Sequence, residues 1–381
     1  MLFNTPTLNE QELQVLARID RIRDALHHQL PEQQRWVGLL RRVMLARAIQ
    51  GSNSIEGYNV TLDDAVAAVA GEEPLDAERD AWVAVLGYRD AMTYVLQLAD
   101  DTHFSYDETL IRSLHYMMLK YALDKSPGRW RPGSVYVFDE RTRAVVYTGP
   151  DAIEVPGLMR ELIEDLRRAD LVPPMIRAAM AHLNLVMIHP FRDGNGRMAR
   201  CLQTLVLARE GIISAPISSI EEYLGANTES YYQVLATVGA GSWQPRRDAR
   251  PWIRFVLTAH YRQALTMVRR AEEAEQRWTI LEEEAERVRL PERTIAALFN
   301  AAMGFRLRNA VYREVADVNE STAGRDLKTL VTVGLLEAKG ERRGRFYVAT
   351  PRLRALNESI RQAPRAIEDP FDLPLEPTLG L

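Results

Sequence analysis

The sequence predicts a mainly α protein with one small β-hairpin and a small C-terminal α+β unit. Apolar residues recur at helical spacing in one segment after another of the 381-residue chain. Before the C-terminal region, only residues 135–147 combine two β-forming runs with a charged turn, 139–143, between them. Residues 301–350 instead alternate short helical segments with two strand-like runs.

Composition excludes several classes of protein. The net charge of −4 gives no general attraction to nucleic acid or acidic membranes. The single cysteine, Cys201, excludes an internal disulfide framework and a cysteine-based zinc cluster. No apolar run approaches transmembrane length, and the N-terminus lacks the pattern of a signal peptide. We therefore expect a cytoplasmic protein that does not bind membranes.

Breaks in the helical pattern divide the chain. Thr61 is the expected N-cap of one helix, and a long amphipathic helix is expected from about Ala77 to Leu98. An Ala-, Glu- and Arg-rich stretch, 269–289, has the composition of an exposed helix between two units. The expected parts are an N-terminal helical region (1–100), a core (101–267), a helical linker (268–300), a small unit (301–352) and a loosely ordered tail (353–381).

One stretch, residues 189–200, has the composition of a phosphate-binding loop. Gly194 and Gly196 bracket Asn195, so the backbone can adopt positive φ and turn successive N–H groups towards an anion. A helix is predicted to follow over residues 198–210, and the free N–H groups at its start also favour phosphate.

Four side chains of the same stretch suit a reaction at phosphorus. Arg197 and Arg200 are three residues apart, so they share a helix face where guanidinium groups can bind phosphate. Asp193 could hold a hard cation, since Mg²⁺ needs only one or two carboxylates when phosphates supply the other oxygens. His189 titrates near neutrality and could take a proton from an attacking hydroxyl.

These residues resemble the signature of the Fic family, HxFxxGNGRxxR with Asp before the first Gly, and every fixed position is matched. Fic proteins mostly transfer AMP from ATP to a hydroxyl side chain of a target protein. The resemblance implies a Fic-type helical bundle, ATP as substrate, Mg²⁺ on Asp193, and His189 as the catalytic base. The nucleotide contacts that it implies in this stretch are Asp193, Gly194, Asn195, Gly196, Arg197, Met198, Ala199 and Arg200.

A second segment, residues 52–57, reads either as an ordinary helix end or as a regulatory motif. It matches the inhibitory motif [S/T]xxxE[G/N] of many Fic proteins, with Ser52, Glu56 and Gly57 at the fixed positions. In that family the glutamate pairs with the second arginine of the signature, here Arg200, and blocks the γ-phosphate of the nucleotide. A carboxylate competes with phosphate for the same guanidinium donors.

The resemblance also assigns the hairpin and a tyrosine pair. In Fic proteins a hairpin at this position aligns the target by strand addition, so the target protein is expected to dock on residues 135–147. The alternative is a packed structural flap. The first strand and the tyrosine pair also border the nucleotide in the family, and Gly239 replaces a common asparagine two turns later. The implied contacts are Val135, Tyr136, Val137, Phe138, Tyr231 and Tyr232.

Residues 301–352 resemble a winged helix, with 321–333 as the recognition helix and 341–345 as the wing. Arg325, Lys328, Arg342, Arg343 and Arg345 could contact phosphates, and Glu314, Glu320, Asp326 and Glu341 dilute that charge. DNA is therefore a possible but not favoured partner, and protein docking is the alternative.

The leading interpretation is a protein adenylyltransferase inhibited by Glu56. Other donors such as UTP or a phosphocholine nucleotide, phosphorylation, and removal of AMP from a modified target stay open within the same fold. A DNA-binding regulator with a sensory Fic site is the alternative from another class. Because family members often form dimers that hold the inhibitory segment in place, a homodimer is a possible partner, and the sequence does not settle the oligomeric state.

Overall fold

The computed structural model describes residues 1–30, 35–138, 144–168, 172–212, 219–341, 344–358, 360 and 366–375. The α-helices are α1 (Glu10–Gln29), α2 (Arg35–Ile55), α3 (Leu62–Val69), α4 (Arg79–Leu98), α5 (Glu108–Leu119), α6 (Val155–Arg167), α7 (Pro174–Ile188), α8 (Asn195–Arg209), α9 (Glu221–Ala226), α10 (Thr228–Gly239), α11 (Arg250–Arg287), α12 (Ile295–Ala302), α13 (Asn309–Ala316), α14 (Glu320–Thr332) and α15 (Pro351–Glu358). The strands are β1 (Tyr136–Phe138), β2 (Val145–Thr148), β3 (Leu336–Lys339) and β4 (Phe346–Ala349). The predicted mainly α class is confirmed.

Both sheets of the described chain are two-stranded antiparallel hairpins. In the first, Val137 pairs with Tyr147, and a bulge follows before Phe138 pairs with Val145. The predicted strands therefore exist, each one residue later than expected at its start, and the charged turn 139–143 lies outside the described residues. No helix in the described ranges is long and apolar enough to cross a membrane.

Helices α7 and α8 form the centre of the core. α7 is apolar on nearly every side, and all of its residues from Met175 to Leu185 are buried. A helix without a polar face must be enclosed by others, and α4, α6 and α11 pack around this pair. The loop that joins α7 to α8 is residues 189–194, so the signature stretch lies at the centre of the core.

Residues 52–57, which match the inhibitory motif, lie at the end of a long core helix. α2 continues to Ile55, and Gly57 follows in the left-handed conformation (φ 80°) that ends a helix. The last turns of α2 cross α9 closely, because a Cβ on Gly225 would lie 2.8 Å from the Cα of Gly51. Ser52 is therefore a fully buried helical residue and Glu56 follows the end of the helix.

Helix α11 corrects the expectation of an exposed linker. It runs without a break through the predicted boundary at 267–268, and its second half buries a row of mostly small residues, Ala271, Ala274, Leu281 and Ala285. These residues pack in one apolar cluster with residues of α2 and α12. Helix α12 itself begins inside the predicted linker. Apart from the buried Arg277 and Glu284, the Arg and Glu residues of this half lie on the outer face, which is why the composition suggested exposure.

The C-terminal unit contains α12, α13, α14 and the β3–β4 hairpin, to which Leu307 adds a bridge opposite Tyr347. It packs on the segment that follows α2, where Arg306 pairs with Asp63 at 2.5 Å and Arg308 with Glu72 at 3.0 Å. Arg342 and Arg343 of the predicted wing lie outside the described residues.

The tail is more ordered than the sequence suggested. Residues 351–358 form α15, and residues 366–375 lie against α1 and α11. Arg18 donates to the carbonyl oxygen of Pro374 (2.5 Å), and the Arg254 guanidinium lies 4.7 Å from the centre of the Phe371 ring. Proline and acidic residues indicated a solvated segment, but these arginines hold it on the core.

Candidate active site

Two left-handed residues shape the loop between α7 and α8. His189 ends α7 with φ 52° and ψ 58°, and Gly194 precedes α8 with φ 75° and ψ 11°. Positive φ was predicted at Gly194 and Gly196, and this is wrong for Gly196, because α8 begins at Asn195 rather than Met198. A left-handed non-glycine residue costs on the order of 1–3 kcal/mol, so the surroundings of His189 must hold it in place.

Gly196 is needed for space rather than for its backbone angles. A Cβ at this position would lie 2.4 Å from Oε1 of Glu56 and 3.2 Å from Nη1 of Arg200. Asn195 is also not an open ligand: its side chain is buried and exchanges hydrogen bonds with the backbone N–H and carbonyl of Phe191, at 2.9 and 3.0 Å. The side chain of Asn195 therefore braces the loop, while the free N–H groups at the start of α8 remain available to an anion.

His189 is arranged as a base. Its Nδ1 lies 3.1 Å from the carbonyl oxygen of Val186, which can only accept, so Nδ1 carries the hydrogen and Nε2 is free to take a proton. Burial lowers the pKa of His189, and the hydrogen bond to Val186 opposes that shift only in part. The imidazole is therefore neutral at pH 7.

Asp193 presents one carboxylate beside the start of α8. Oδ1 accepts a hydrogen bond from the N–H of Gly194 at 2.6 Å, and Nζ of Lys125 lies 3.7 Å from Oδ2. The side chain is 36% exposed, so a cation could reach it. Among the described residues no cluster of three His, Cys, Asp or Glu side chains could hold a metal without other ligands. A single carboxylate suits Mg²⁺ only when phosphate oxygens complete its shell.

The two signature arginines are buried, each with 1% exposure. Arg197 lies with its guanidinium 5.0 Å from the centre of the Tyr58 ring and donates weakly to the Tyr121 hydroxyl at 3.4 Å. Among the described residues its Nε has no hydrogen-bond partner, and neither does Nη1 of Arg200. Buried polar groups are nearly always satisfied, so an added acceptor would stabilise either donor.

Arg200 is held by two residues of the segment 52–57, Ser52 and Glu56. Nε donates to the Ser52 hydroxyl (2.8 Å), and Nη2 donates to the Ser52 carbonyl (2.9 Å) and to Oε1 of Glu56 (2.6 Å). Burial alone would lower the pKa of Arg200, but the Glu56 carboxylate, Tyr231 and Tyr88 together outweigh it and raise that pKa. The structure thus contains the pairing of Glu56 with Arg200 that the family motif implies.

The hairpin residues that the resemblance implies as nucleotide contacts differ in their exposure to solvent. Tyr136 and Phe138 are about half exposed, while the Tyr147 hydroxyl points inward and donates to the Met187 carbonyl at 2.8 Å. Val135 and Val137 are partly buried. The hairpin therefore keeps one apolar face open to solvent beside the site.

Tyr231 and Tyr232 do not line one open pocket together. Tyr231 is 1% exposed and its hydroxyl bonds to Nε2 of His182 at 2.9 Å, so it belongs to the core. Tyr232 is 48% exposed and donates to the Ile55 carbonyl at 3.2 Å, next to Glu56. At Gly239, the place of the expected asparagine, a Cβ would stand 3.2 Å from the Met187 and Tyr147 side chains, so a larger residue would require these side chains to shift slightly.

Sequence reasoning missed two residues of the site. Nε2 of His115 donates to the Asp193 carbonyl at 2.9 Å, and its Nδ1 accepts the N–H of Gly128 at 2.8 Å. Its ring also stacks on Phe191 with centroids 3.6 Å apart. Arg131 is buried and bonded to the backbone of His189. The one sequence feature that could have indicated Arg131 is its position as a charged residue within a Pro- and Gly-rich stretch.

The comparisons agree with this geometry. Residues 105–207 match the Fic/DOC family. The chain is 29% identical over 259 residues to the protein adenylyltransferase Fic of Nematostella vectensis, and 29% identical over 245 residues to that of Culex quinquefasciatus. These alignments cover 66% and 63% of this chain but 55% and 44% of the relatives. The chain therefore spans about half the length of the curated relatives it matches.

Solved structures share the architecture. A Fic family protein from Desulfovibrio desulfuricans G20 has a TM-score of 0.59 at 24% identity, covering 91% of this chain and 98% of that chain. A Fic domain containing signaling protein from Bacteroides thetaiotaomicron VPI-5482 has a TM-score of 0.52 at 20% identity, covering 68% and 96%. The signature loop between α7 and α8 lies within residues 105–207, and this segment of the chain is a Fic domain.

Proposed function

We propose that the chain is a protein adenylyltransferase, which transfers AMP from ATP to a Ser, Thr or Tyr hydroxyl of a target protein. The observation that carries the proposal is the junction of α7 and α8, where a neutral base, the start of a helix and a buried arginine with an open donor meet. The names of the relatives support the same reaction, at 29% identity and over about half their length.

The reaction follows from the positions of the base and the loop. Nε2 of His189 takes the proton of the target hydroxyl, and the hydroxyl oxygen bonds to the α-phosphorus of ATP. The bond from that phosphorus to the oxygen bridging to the β-phosphate breaks, and pyrophosphate leaves. N–H groups at the start of α8 stabilise the charge on the phosphate oxygens. The loop supplies positioning and electrostatics rather than a covalent intermediate.

The described donors fit a triphosphate. Arg197 and Arg200 each keep a buried donor without a partner, and a phosphate oxygen would satisfy it. Asp193 is the residue that would hold Mg²⁺, which neutralises phosphate charge when bound. Asp193 would supply one partly exposed carboxylate, and the nucleotide and water would supply the remaining ligands of Mg²⁺.

Glu56 is the inhibitor in this proposal. Its carboxylate holds Nη2 of Arg200 and lies 2.4 Å from where a Cβ on Gly196 would stand, so it occupies the space beside the loop. A nucleotide phosphate in that space would compete with Glu56 for Arg200 and would be repelled by its charge. The chain is therefore closed until Glu56 moves away.

The target docks as an added strand on the hairpin. The outer edge of β2 is partly taken, because Thr148 bridges Ser242 and its N–H donates to the Gly241 carbonyl at 3.0 Å. β1 has no second strand beside it in the described structure. Its free edge can pair with an extended peptide through backbone groups, which makes little demand on the sequence of the peptide.

The test uses Glu56→Gly protein with ATP, UTP or GTP labelled at the α-phosphorus, followed by mass spectrometry of modified residues. We expect transfer of AMP from ATP by Glu56→Gly, much less by the native chain, and none by the Glu56→Gly, His189→Ala double variant. Transfer that persists without His189 would refute the base assignment. Transfer of label from UTP alone would identify UTP as the donor instead of ATP. Release of AMP from a modified target by the native chain alone would favour the reverse reaction.

A second candidate function is DNA binding by α14, and the burial of one carboxylate favours it. Asp326 is 5% exposed and accepts hydrogen bonds from Arg293 (2.7 and 2.8 Å) and from the Tyr312 hydroxyl (2.8 Å). It therefore does not dilute the charge of the outer face. That face carries Arg325 and Lys328, both exposed, and a helix of this kind fits the major groove.

Fluorescence anisotropy with labelled genomic duplexes, titrated with salt, tests this second candidate. We expect the Arg325→Ala, Lys328→Ala variant to bind more weakly and with a smaller salt slope. Arg168→Ala, which removes an exposed arginine at the end of α6, is the control. Equal binding by both variants, or a salt slope without any sequence preference, would argue against a regulatory role.

A further inference from the structure

Arg131 is a buried cation bonded to backbone rather than to a carboxylate. It lies between the hairpin and the end of α7 and is 4% exposed. Nε donates to the His189 carbonyl at 2.8 Å. Nη1 donates to the Gly133 carbonyl at 2.6 Å, and Nη2 to the Pro150 carbonyl at 2.5 Å, with the Ile188 carbonyl 3.5 Å away. A buried charge normally needs a counter-ion, so this arrangement requires a reason.

One reason lies at the end of α7. The last carbonyl groups of a helix have no partner within it and carry partial negative charge. The left-handed turn at His189 directs the carbonyls of residues 188 and 189 towards Arg131. The backbone N–H of Arg131 also donates to the Pro190 carbonyl at 2.9 Å. A single residue thus contacts three successive carbonyls of the segment that holds the base.

The other reason lies at the base of the hairpin. Gly133 precedes β1 and Pro150 follows β2, so one guanidinium ties together both ends of the hairpin. The packing there is close: a Cβ on Gly149 would stand 2.7 Å from Cγ1 of Val135 and 3.4 Å from Nη2 of Arg131. The hairpin therefore cannot tilt relative to α7 without breaking hydrogen bonds of Arg131.

We propose that Arg131 is a positioning residue that sets the hairpin against His189, so that a hydroxyl on a peptide bound to β1 meets Nε2 in line. The proposal rests on the proposed function. Arg131 does not touch the reacting atoms itself; it acts through the backbone of His189 and of the hairpin. Lysine cannot replace it, because an ammonium lacks the planar fork that reaches several carbonyls at once.

The experiment compares Arg131→Lys with Arg129→Lys, which alters an exposed arginine two residues earlier. Hydrogen exchange is followed at residues 131 and 149, whose N–H groups donate to Pro190 and Val135, and the ¹⁵N spectrum of the His189 ring is recorded. We expect exchange at both residues to rise at least about tenfold and the His189 signals to shift in Arg131→Lys only. Unchanged exchange and signals, or an equal rise in exchange throughout α4 and α6, would overturn the proposal.

Activity supplies an independent readout in the Glu56→Gly background. With α-labelled ATP and the proteins of a cell lysate as acceptors, Arg131→Lys should lower kcat by about 100-fold, as misplacement by about 1 Å does. The Kd for ATP should stay within about twofold of the Arg129→Lys control, because both signature arginines are untouched. A loss of ATP affinity that matches the loss of kcat would contradict a positioning role.

The two proposals fail in different ways. If Glu56→Gly protein transfers no label from any nucleotide, the proposed function is wrong, and hydrogen exchange and the His189 spectrum still decide the role of Arg131. If Glu56→Gly protein transfers AMP and Arg131→Lys transfers as fast as Arg129→Lys, the proposed function stands and the positioning role is wrong.

Discussion

Arg200 is bound twice by Ser52, through the hydroxyl at 2.8 Å and through the backbone carbonyl at 2.9 Å. Glu56 supplies only the third contact. Two of the three acceptors on the buried guanidinium therefore belong to a residue inside α2, and one belongs to the side chain that follows the helix. Arg200 can stay in place when Glu56 leaves, because Ser52 does not move with it.

Ser52→Ala is expected to activate the chain much less than Glu56→Gly. It removes one charge-assisted hydrogen bond, worth about 1.5–3 kcal/mol, but leaves the Glu56 carboxylate beside the loop. Label transfer from ATP measures the difference between the two variants. Ser54→Ala is the control, since its hydroxyl bonds only the Gly51 carbonyl within the same helix. Activation of Ser52→Ala to the level of Glu56→Gly would contradict a dominant role for Glu56.

Gly196→Ala is expected to weaken ATP binding even after Glu56 is removed. In the Glu56→Gly background the added Cβ still lies 3.2 Å from Nη1 of Arg200, the donor left open for phosphate. We expect the Kd for ATP, measured by calorimetry, to rise at least about tenfold, or about 1.4 kcal/mol. Gly324→Ala in α14, where nothing lies within 4 Å, should leave it unchanged. Equal affinities would show that this space is not used by the nucleotide.

The pH dependence of transfer should extend to the acidic side of an ordinary histidine. Burial lowers the pKa of His189 below the value of about 6.5 typical of this side chain. The base is active when neutral, so the rate is retained as the pH falls to about 6.5 and declines only below it. The profile of kcat/KM in Glu56→Gly protein, from pH 5 to 8, checks this. An acidic limb centred above pH 7 would contradict it.

The stability of the core should fall in acid because of two buried histidines. Nδ1 of His182 lies 2.6 Å from Oε1 of Gln203. Nε2 of the same glutamine lies 3.5 Å from Nε2 of His260. Burial lowers the pKa of both histidines to about 3. Between pH 6.5 and 3 the unfolded chain binds more protons than the folded one, so acid favours unfolding.

This loss of stability has a measurable slope. The free energy of unfolding should fall by up to about 1.4 kcal/mol per pH unit for each histidine. Urea unfolding at pH 7.5, 6 and 5 measures it, and His260→Gln should reduce the slope. His27→Gln with His28→Gln, two exposed residues of α1, should not. A slope that is the same in all three proteins would exclude the buried histidines as its source.

The parts of the site that sequence analysis found are those whose pattern is local. The residues of the signature are contiguous, and Ser52 and Glu56 are one helical turn apart, so their spacing alone places them on one face. The positions of Arg131 and His115 could not be found in this way. Their partners are backbone carbonyls 58 and 78 residues away, and a carbonyl leaves no mark in the sequence.

Other differences arise because one residue type serves several purposes. Glycine can supply positive φ or empty space, and Gly196 supplies space while the non-glycine His189 takes the unusual angle. Aromatic residues line pockets and fill cores, and Tyr231 does the latter. In the second half of α11 a row of mostly small apolar residues is enough to bury one side, although charged residues dominate the composition of that half.

Helix α11 has a mechanical consequence. Its 38 residues span about 57 Å without a break, and it packs in the core at one end and against the C-terminal unit at the other. Chains with independent domains usually join them by flexible segments, but here the connection is a stiff rod. Whatever anchors the C-terminal unit therefore also fixes the direction in which the loop between α7 and α8 faces.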